Sequence, residues 1–211
     1  YVIGTHNHED HIGGMDNVIT AYSSEVDCIM LSEEEGTTAT YRSVVKAADS
    51  SSAERLTPKA GATYTLGDAT WQILSCDTDV SDLNESSIVI KLTYGNTSFL
   101  FTGDATMNTE QGLEMSGYDL KSDVLKVGHH GSASSTADSF LDAVAPEIAV
   151  ISVDSESDMG EMYHHPATST LQRLSQHGIK VYRTDELGTI RITSDGEKLA
   201  VSAFATSTDG T

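Results

Sequence analysis

The chain has 211 residues, with 12 Lys and Arg against 32 Asp and Glu for a formal charge of −20, and 38% hydrophobic residues. That length and apolar share suit one domain with its own core, and the charge excludes a protein that grips phosphate backbones or anionic lipid through a broad basic surface. Cys28 and Cys76 lie far apart with no CxxC spacing, so neither a disulfide framework nor a thiolate zinc site is indicated; no charged-then-apolar leader and no run of ~18 apolar residues is visible.

In chain order, residues 1–4 read as the tail of a strand. Residues 13–22 read as a helix with Met15, Val18, Ile19 and Tyr22 on one face. A strand at 26–31 and a helix at 39–48 follow, then strands at 63–66, 71–74, 88–93 and 98–101, the last two joined by the turn Tyr94-Gly95-Asn96-Thr97. Strands at 124–127 and 148–153 are apolar enough to be buried on both faces. Between them, Ser135 and Asp138 mark a capping-box start for a helix that Pro146 ends. A helix over 167–176, opened by Pro166 and closed by Gly178, precedes strands at 180–182, 189–193 and 199–203. This alternation predicts a layered α/β fold. The acidic runs 33–35 and 154–161 read as solvated faces.

The chemistry concentrates in Thr5-His6-Asn7-His8-Glu9-Asp10-His11-Ile12-Gly13-Gly14. On an extended segment, residues two apart point the same way, so His6 and His8 present two imidazoles to one point. The turn into a helix then carries Asp10 and His11 to a second point nearby. This is geometry for two divalent metal ions held by imidazole and carboxylate without thiolate, a donor set that selects zinc, manganese or iron, with zinc expected first and manganese next. Asp104 ends the apolar run Phe99-Leu100-Phe101-Thr102-Gly103, at a strand's C-terminal edge where α/β sites are built and where a carboxylate can bridge two cations. His129 and His130 stand at another strand end with different roles expected, one on metal and one beside it, and His165 before a helix reads as a further ligand or substrate contact. His177, at a helix C-terminus, reads as structural. No GxSxG or activated cysteine competes with these residues.

The motif HxHxDH (His6, His8, Asp10, His11), the later Gly-Asp at Asp104 and the run His129-His130-Gly131-Ser132 together resemble the metallo-β-lactamase superfamily. The order LFTGD, DVLKVGHHGS, PEIAVISV, HHP, GIKVYRTDELGTI and RITSDG is similar to the ComEC-type subgroup, the hydrolase domain of a DNA-uptake channel protein. A more distant likeness is to teichoic-acid phosphorylcholine esterases. The resemblance implies a four-layer αββα sandwich over 1–211. In it His6 and His8 serve one metal, Asp10 and His11 the other, and Asp104 bridges both, with His129, His130 and His165 as further ligand candidates. Two departures stand out. No His occurs from Asn17 to Gly103, where hydrolytic lactamases place another ligand; Asn84-Glu85-Ser86-Ser87 fills that region. The family also carries several strands ahead of HxHxDH, so the expectation is an N-terminally incomplete domain, either a fragment or one whose first sheet is completed from elsewhere.

The implied activity is hydrolysis by a hydroxide held between metals about 3.5–4 Å apart. Asp10 and Asp104 orient it, and one of His129, His130 or His165 protonates the leaving oxygen. Gly131-Ser132 would offer backbone N–H groups to phosphate. The expected substrate is a phosphodiester, DNA or a smaller phosphoester, with no basic nucleic-acid tract unless Lys126, Arg173, Lys180, Arg183 and Arg191 gather in space. The alternatives are a wall-polymer phosphoesterase and a truncated, non-catalytic metal- or partner-binding domain. Low cysteine and outward-facing relatives lean the compartment to the cell exterior.

Overall fold

Alternation of apolar residues sorts the strands onto faces. In β2 (Cys28–Leu31), Ile29 and Leu31 pack with Ile12, Met15, Ile19, Val44 and Ala48, while Met30 turns the other way onto Trp71, Ile73, Ile88 and Ile90. In the computed structural model, which describes residues 1–154 and 163–204, that single strand thus belongs to two cores. β1 (Val2–Gly4), β2 and β3 (Glu54–Leu56) form a three-stranded parallel sheet in that order. Its outer face carries α1 (Glu9–Ile12), α2 (Met15–Ala21) and α3 (Ala39–Ser50), the last capped by the Thr38 hydroxyl accepting the Tyr41 N–H at 3.0 Å.

The inner face meets a seven-stranded sheet of order β10-β9-β8-β7-β6-β5-β4. These strands are β4 (Thr63–Leu66), β5 (Ala69–Ser75), β6 (Val89–Tyr94), β7 (Thr97–Phe101), β8 (Val124–Lys126), β9 (Ile148–Ile151) and β10 (Lys180–Arg183). From β4 to β7 the pairing is antiparallel and from β7 to β10 parallel. On its far side α4 (Met107–Met115), α5 (Asp138–Val144) and α6 (Thr168–Gln176) bury Leu113, Phe140, Leu141, Val144 and Leu174 against Leu100, Leu125, Ala149 and Ile151. A short helix α7 (Thr184–Leu187) leads to an antiparallel hairpin, β11 (Thr189–Ser194) and β12 (Leu199–Phe204). Ile190 and Ile192 of that hairpin close over Phe99, Phe101, Lys126 and Val150 around a cavity of about 230 Å³. The layers therefore run helix, sheet, sheet, helix, as the resemblance implied.

Several expectations are corrected. The first helix is split into α1 and α2, and of the apolar face read for it Met15 and Ile19 are buried while Val18 and the C-cap Tyr22 are exposed. Ser135 does not cap α5: its hydroxyl donates to the Gly128 carbonyl at 2.8 Å, and Ala137 holds the cap position without a side-chain bond of its own. Glu34 is half-buried rather than free in solvent, its carbonyl accepting from Asn7 and its carboxylate from the Asp79 N–H. The acidic run beyond Asp154 lies outside the described residues. β3, α4 and α7 had no counterpart in the reading of the sequence. No described helix is long and apolar enough to cross a membrane.

Candidate metal centre

The extended backbone after β1 continues to His8, whose φ of −75° and ψ of 147° place it at the start of α1. His6 is fully buried, and the intervening Asn7 faces away and donates to the Glu34 carbonyl. His6 Nε2 and His8 Nδ1 thereby converge to 3.1 Å. The single turn of α1 swings Asp10 and His11 beside them. From the other sheet, Gly103 takes a φ of +54° and a Cβ there would meet Ser87 Oγ at 2.9 Å, so glycine is what lets the chain deliver Asp104 inward. Ser87 Oγ accepts the Asp104 N–H at 3.0 Å and lies 3.4 Å from His6 Nδ1, occupying with a hydroxyl the region where an additional His ligand was looked for.

Four groups then meet. The Oδ2 of Asp104 is 3.2 Å from His11 Nε2 and 3.5 Å from His130 Nε2; Asp10 Oδ2 is 3.1 Å from His130 Nε2. All four donor atoms lie within 4.8 Å of one another. His6 Nε2 stands 3.8 Å from the same Asp104 oxygen, so one carboxylate faces both the His6–His8 pair and the Asp10–His11–His130 group. His130 Nδ1 donates to the Ser152 carbonyl at 2.7 Å, which fixes the tautomer that turns Nε2 to the cluster.

The residues fit a divalent cation. Asp104 is 2% exposed, and its second oxygen, Oδ1, is buried with no hydrogen-bond partner among the described residues. An orphaned carboxylate oxygen is costly unless a cation or donor meets it. Without metal, the cluster shares protons instead. The bonds to Asp10 and then Asp104 pull His130 up to about 10, and the bond from His130 holds Asp10 down to about 2. Burial by itself would raise Asp104, yet the bonds and charges of His11 and His130 outweigh it and hold this carboxyl well below the usual range. Burial, with His11 close by, pushes His6 down to about 3, so that ring is neutral and ready to ligate.

His129 and His165, expected among the ligands, are not gathered with these four. They face each other with ring centroids 5.5 Å apart, beside His130, whose ring is 6.4 Å from that of His129. The cause is local: His129 and His130 both sit in the left-handed region, at φ of 48° and 52°, and this tight turn sends consecutive rings apart. His165 Nδ1 is buried and unpartnered among the described residues, and burial lowers both rings' proton affinity. The Ser132 N–H, expected to face phosphate, donates to the His129 carbonyl at 2.8 Å. His177 caps α6, its Nδ1 donating to the Arg173 carbonyl at 2.8 Å with Asp142 3.3 Å from Nε2. Three of the five basic residues singled out in the sequence are bonded to protein groups among the described residues. Arg173 donates to the Ser135 and Thr136 carbonyls, Arg183 pairs with Asp185 and Glu186, and Lys126 donates to the Val127 carbonyl.

Comparison with known proteins agrees with this geometry. Residues 1–155 match the family model described as the metallo-β-lactamase superfamily. The chain is 32% identical over 191 residues to ComE operon protein 3 of Bacillus subtilis, covering 90% of this chain and 24% of the relative. It is 30% identical over 206 residues to recombination protein 2 of Haemophilus influenzae, 97% of this chain and 24% of that one. Against competence protein ComA of Neisseria gonorrhoeae it is 40% identical over 111 residues, 52% of this chain and 16% of the relative. It thus spans about a quarter or less of these proteins. Among solved structures, CmlA, a diiron β-hydroxylase from Streptomyces venezuelae, superposes with a TM-score of 0.55 at 16% identity over 86% of this chain and 42% of that one. The metallo-β-lactamase fold protein YhfI from Bacillus subtilis gives 0.53 at 14% identity over 86% and 73%. At such identities these likenesses speak for the fold alone. On the family match and the shared architecture, the chain belongs to the metallo-β-lactamase superfamily.

Proposed function

We propose that the chain is a dinuclear metal-dependent phosphodiester hydrolase of the ComEC type, with a DNA strand as its substrate. The observation that carries this reading is the single Asp104 carboxylate faced by two donor sets, His6 with His8 and Asp10 with His11 and His130. Those sets would hold two divalent ions, zinc first, which when bound lower the pKa of water and polarise a phosphoryl oxygen. The protein's own contribution is positional. Asp104, whose backbone N–H is held by the Ser87 hydroxyl, and Asp10, bonded to His130, would orient the attacking water. His130 is committed through Ser152 to the cluster, so His129 and His165 are the imidazoles placed to give a proton to the departing oxygen. The words competence and recombination in the relatives' names support DNA as the polymer.

A second reading, a smaller phosphodiester or a phosphorylcholine-bearing polymer, is favoured by one observation: Arg173, Arg183 and Lys126 are engaged by protein groups, and the chain carries 32 Asp and Glu against 12 Lys and Arg. Turnover of bis(p-nitrophenyl) phosphate, single-stranded DNA, p-nitrophenyl phosphorylcholine and a β-lactam by the metal-loaded chain separates these readings. The first predicts cleavage of both the generic diester and DNA, abolished by Asp104→Asn. Cleavage of the choline ester with inert DNA supports the second, and β-lactam turnover with inert diesters overturns both.

A further inference from the structure

The turn that carries His129 and His130 is an expensive piece of backbone. Within residues 128–137, three residues other than glycine, His129, His130 and Thr136, lie at φ of 48°, 52° and 63°. Side chains with a Cβ avoid this region unless the surroundings over-determine it. The surroundings here do so from the helical side of the sheet, away from the metal centre. Arg173 of α6 donates from Nε to the Thr136 carbonyl at 2.7 Å and from Nη2 to the Ser135 carbonyl at 2.9 Å. Thr170, one turn earlier, donates to the Ser132 carbonyl at 2.8 Å. Glu110 of α4, 1% exposed, accepts the Thr136 N–H at 2.5 Å and the Ala137 N–H at 2.9 Å, one on each carboxylate oxygen.

We propose that Glu110 and Arg173 are positioning residues for the metal centre: together they clamp the far end of the double-histidine turn, so that His130 is presented to Asp10 and Asp104. This rests on the two-metal reading given above and deepens it. The two residues hold opposite polarities of one peptide stretch, Arg173 taking the carbonyls of Ser135 and Thr136 and Glu110 the N–H groups of Thr136 and Ala137. Neither touches a metal ligand, so they act only through the backbone. Ser135 relays the constraint by donating to the Gly128 carbonyl at 2.8 Å, across the whole turn. Supporting groups of this kind tune ligand placement strongly, and their loss typically weakens metal binding by about 10–100-fold.

The test is a titration of the metal-stripped full chain with zinc against a chromophoric chelator, paired with the visible spectrum of the cobalt(II)-loaded protein. Wild type takes two equivalents. Glu110→Gln keeps the shape but sets an amide N–H against a backbone N–H; Arg173→Lys keeps the charge but loses the fork. Each variant is expected to bind the equivalent held by His6 and His8 within about twofold of wild type, and the other at least about tenfold more weakly, with an altered cobalt(II) band for that second ion. Folded variants with both steps and the band unchanged overturn the proposal. So does a loss of the folded state in both variants, because the network then serves the core and not the turn. A wild type that binds two ions and leaves every phosphodiester intact overturns the hydrolase reading while this titration still decides the positioning role; a wild type that binds no metal removes both.

Discussion

Replacing Asp104 by Asn changes shape little and charge completely. The side chain is 2% exposed, so the amide stays in the same packing, but the one anion facing His6, His11 and His130 at 3.8, 3.2 and 3.5 Å is gone. The position built by His6 and His8 is left with no anionic ligand and the one built by Asp10, His11 and His130 with a single carboxylate. Loss of mere supporting groups costs about 10–100-fold in affinity, so loss of a shared ligand costs at least about 100-fold at each position. The thermal consequence follows from linkage. Metal at about 100 times its Kd stabilises wild type by about 2.7 kcal/mol for each of the two positions, about 5.4 kcal/mol together, which raises the Tm by about 11–22 °C for a domain of this size. At the same metal concentration a variant weakened about 100-fold at each position gains about 0.4 kcal/mol per position, or about 2–3 °C in all. The assay is a melting curve of chelator-stripped protein before and after zinc, each variant read against its own metal-free state, because metal-free Asp104→Asn is expected to melt below metal-free wild type once His11 and His130 lose their buried carboxylate partner. An equal thermal gain in variant and wild type would refute the bridging role.

Three further outcomes follow from other parts of the molecule. His130→Ala should remove one metal equivalent and spare the other, read by elemental analysis after dialysis, since only the Asp10–His11–His130 group loses a donor; parallel loss of both equivalents would argue against two separable positions. Burial pushes the Glu110 carboxyl up to about 7 from an ordinary 4.5, against the pull of the Ala137 and Thr136 N–H donors and Arg173, with Glu114 adding to the rise. Folding therefore favours the protonated acid, and the stability this group contributes is present below about pH 4.5 and lost as the pH rises through about 7, by about 3 kcal/mol at most. In urea denaturation of metal-free protein, Glu110→Gln should gain on wild type by up to that amount between pH 5 and pH 8, and a pH-independent difference would contradict the burial argument. Phe140→Ala, at a 1% exposed core position of α5, should cost about 3–5 kcal/mol while leaving metal stoichiometry intact in the folded fraction, as read by denaturation and dialysis.

Much of the centre was legible because its chemistry is local in sequence. The period-two spacing of His6 and His8 and the turn into α1 place four donors within six residues, and strand-end logic reached Asp104 and the histidine pair. What resisted reading depends on contacts between distant segments. The capping box at Ser135 and Asp138 looked sufficient, yet the N–H groups at that helix start are satisfied by Glu110, 27 residues before Ala137, and Ser135 ties its own turn instead. Helix α4, which carries Glu110, escaped notice because Gly112 interrupts it and only Leu113 among its large apolar side chains is buried. That His129 and His130 take different roles was legible from their adjacency, but which of them joins Asp10, His11 and Asp104 depends on two consecutive left-handed residues that no periodicity argument anticipates. The apolar face of Met15, Val18, Ile19 and Tyr22 was legible as a stripe, but not that only Met15 and Ile19 of it would be buried, since that depends on what packs against the helix.

The most direct measurement is the metal content of the folded chain together with its turnover of bis(p-nitrophenyl) phosphate, before and after chelation and on adding zinc back. The account predicts close to two equivalents, turnover that disappears with the metal and returns with the second equivalent, and none of it in Asp104→Asn. A folded chain that takes up no divalent metal, or whose phosphodiester turnover survives complete removal of metal, would contradict it.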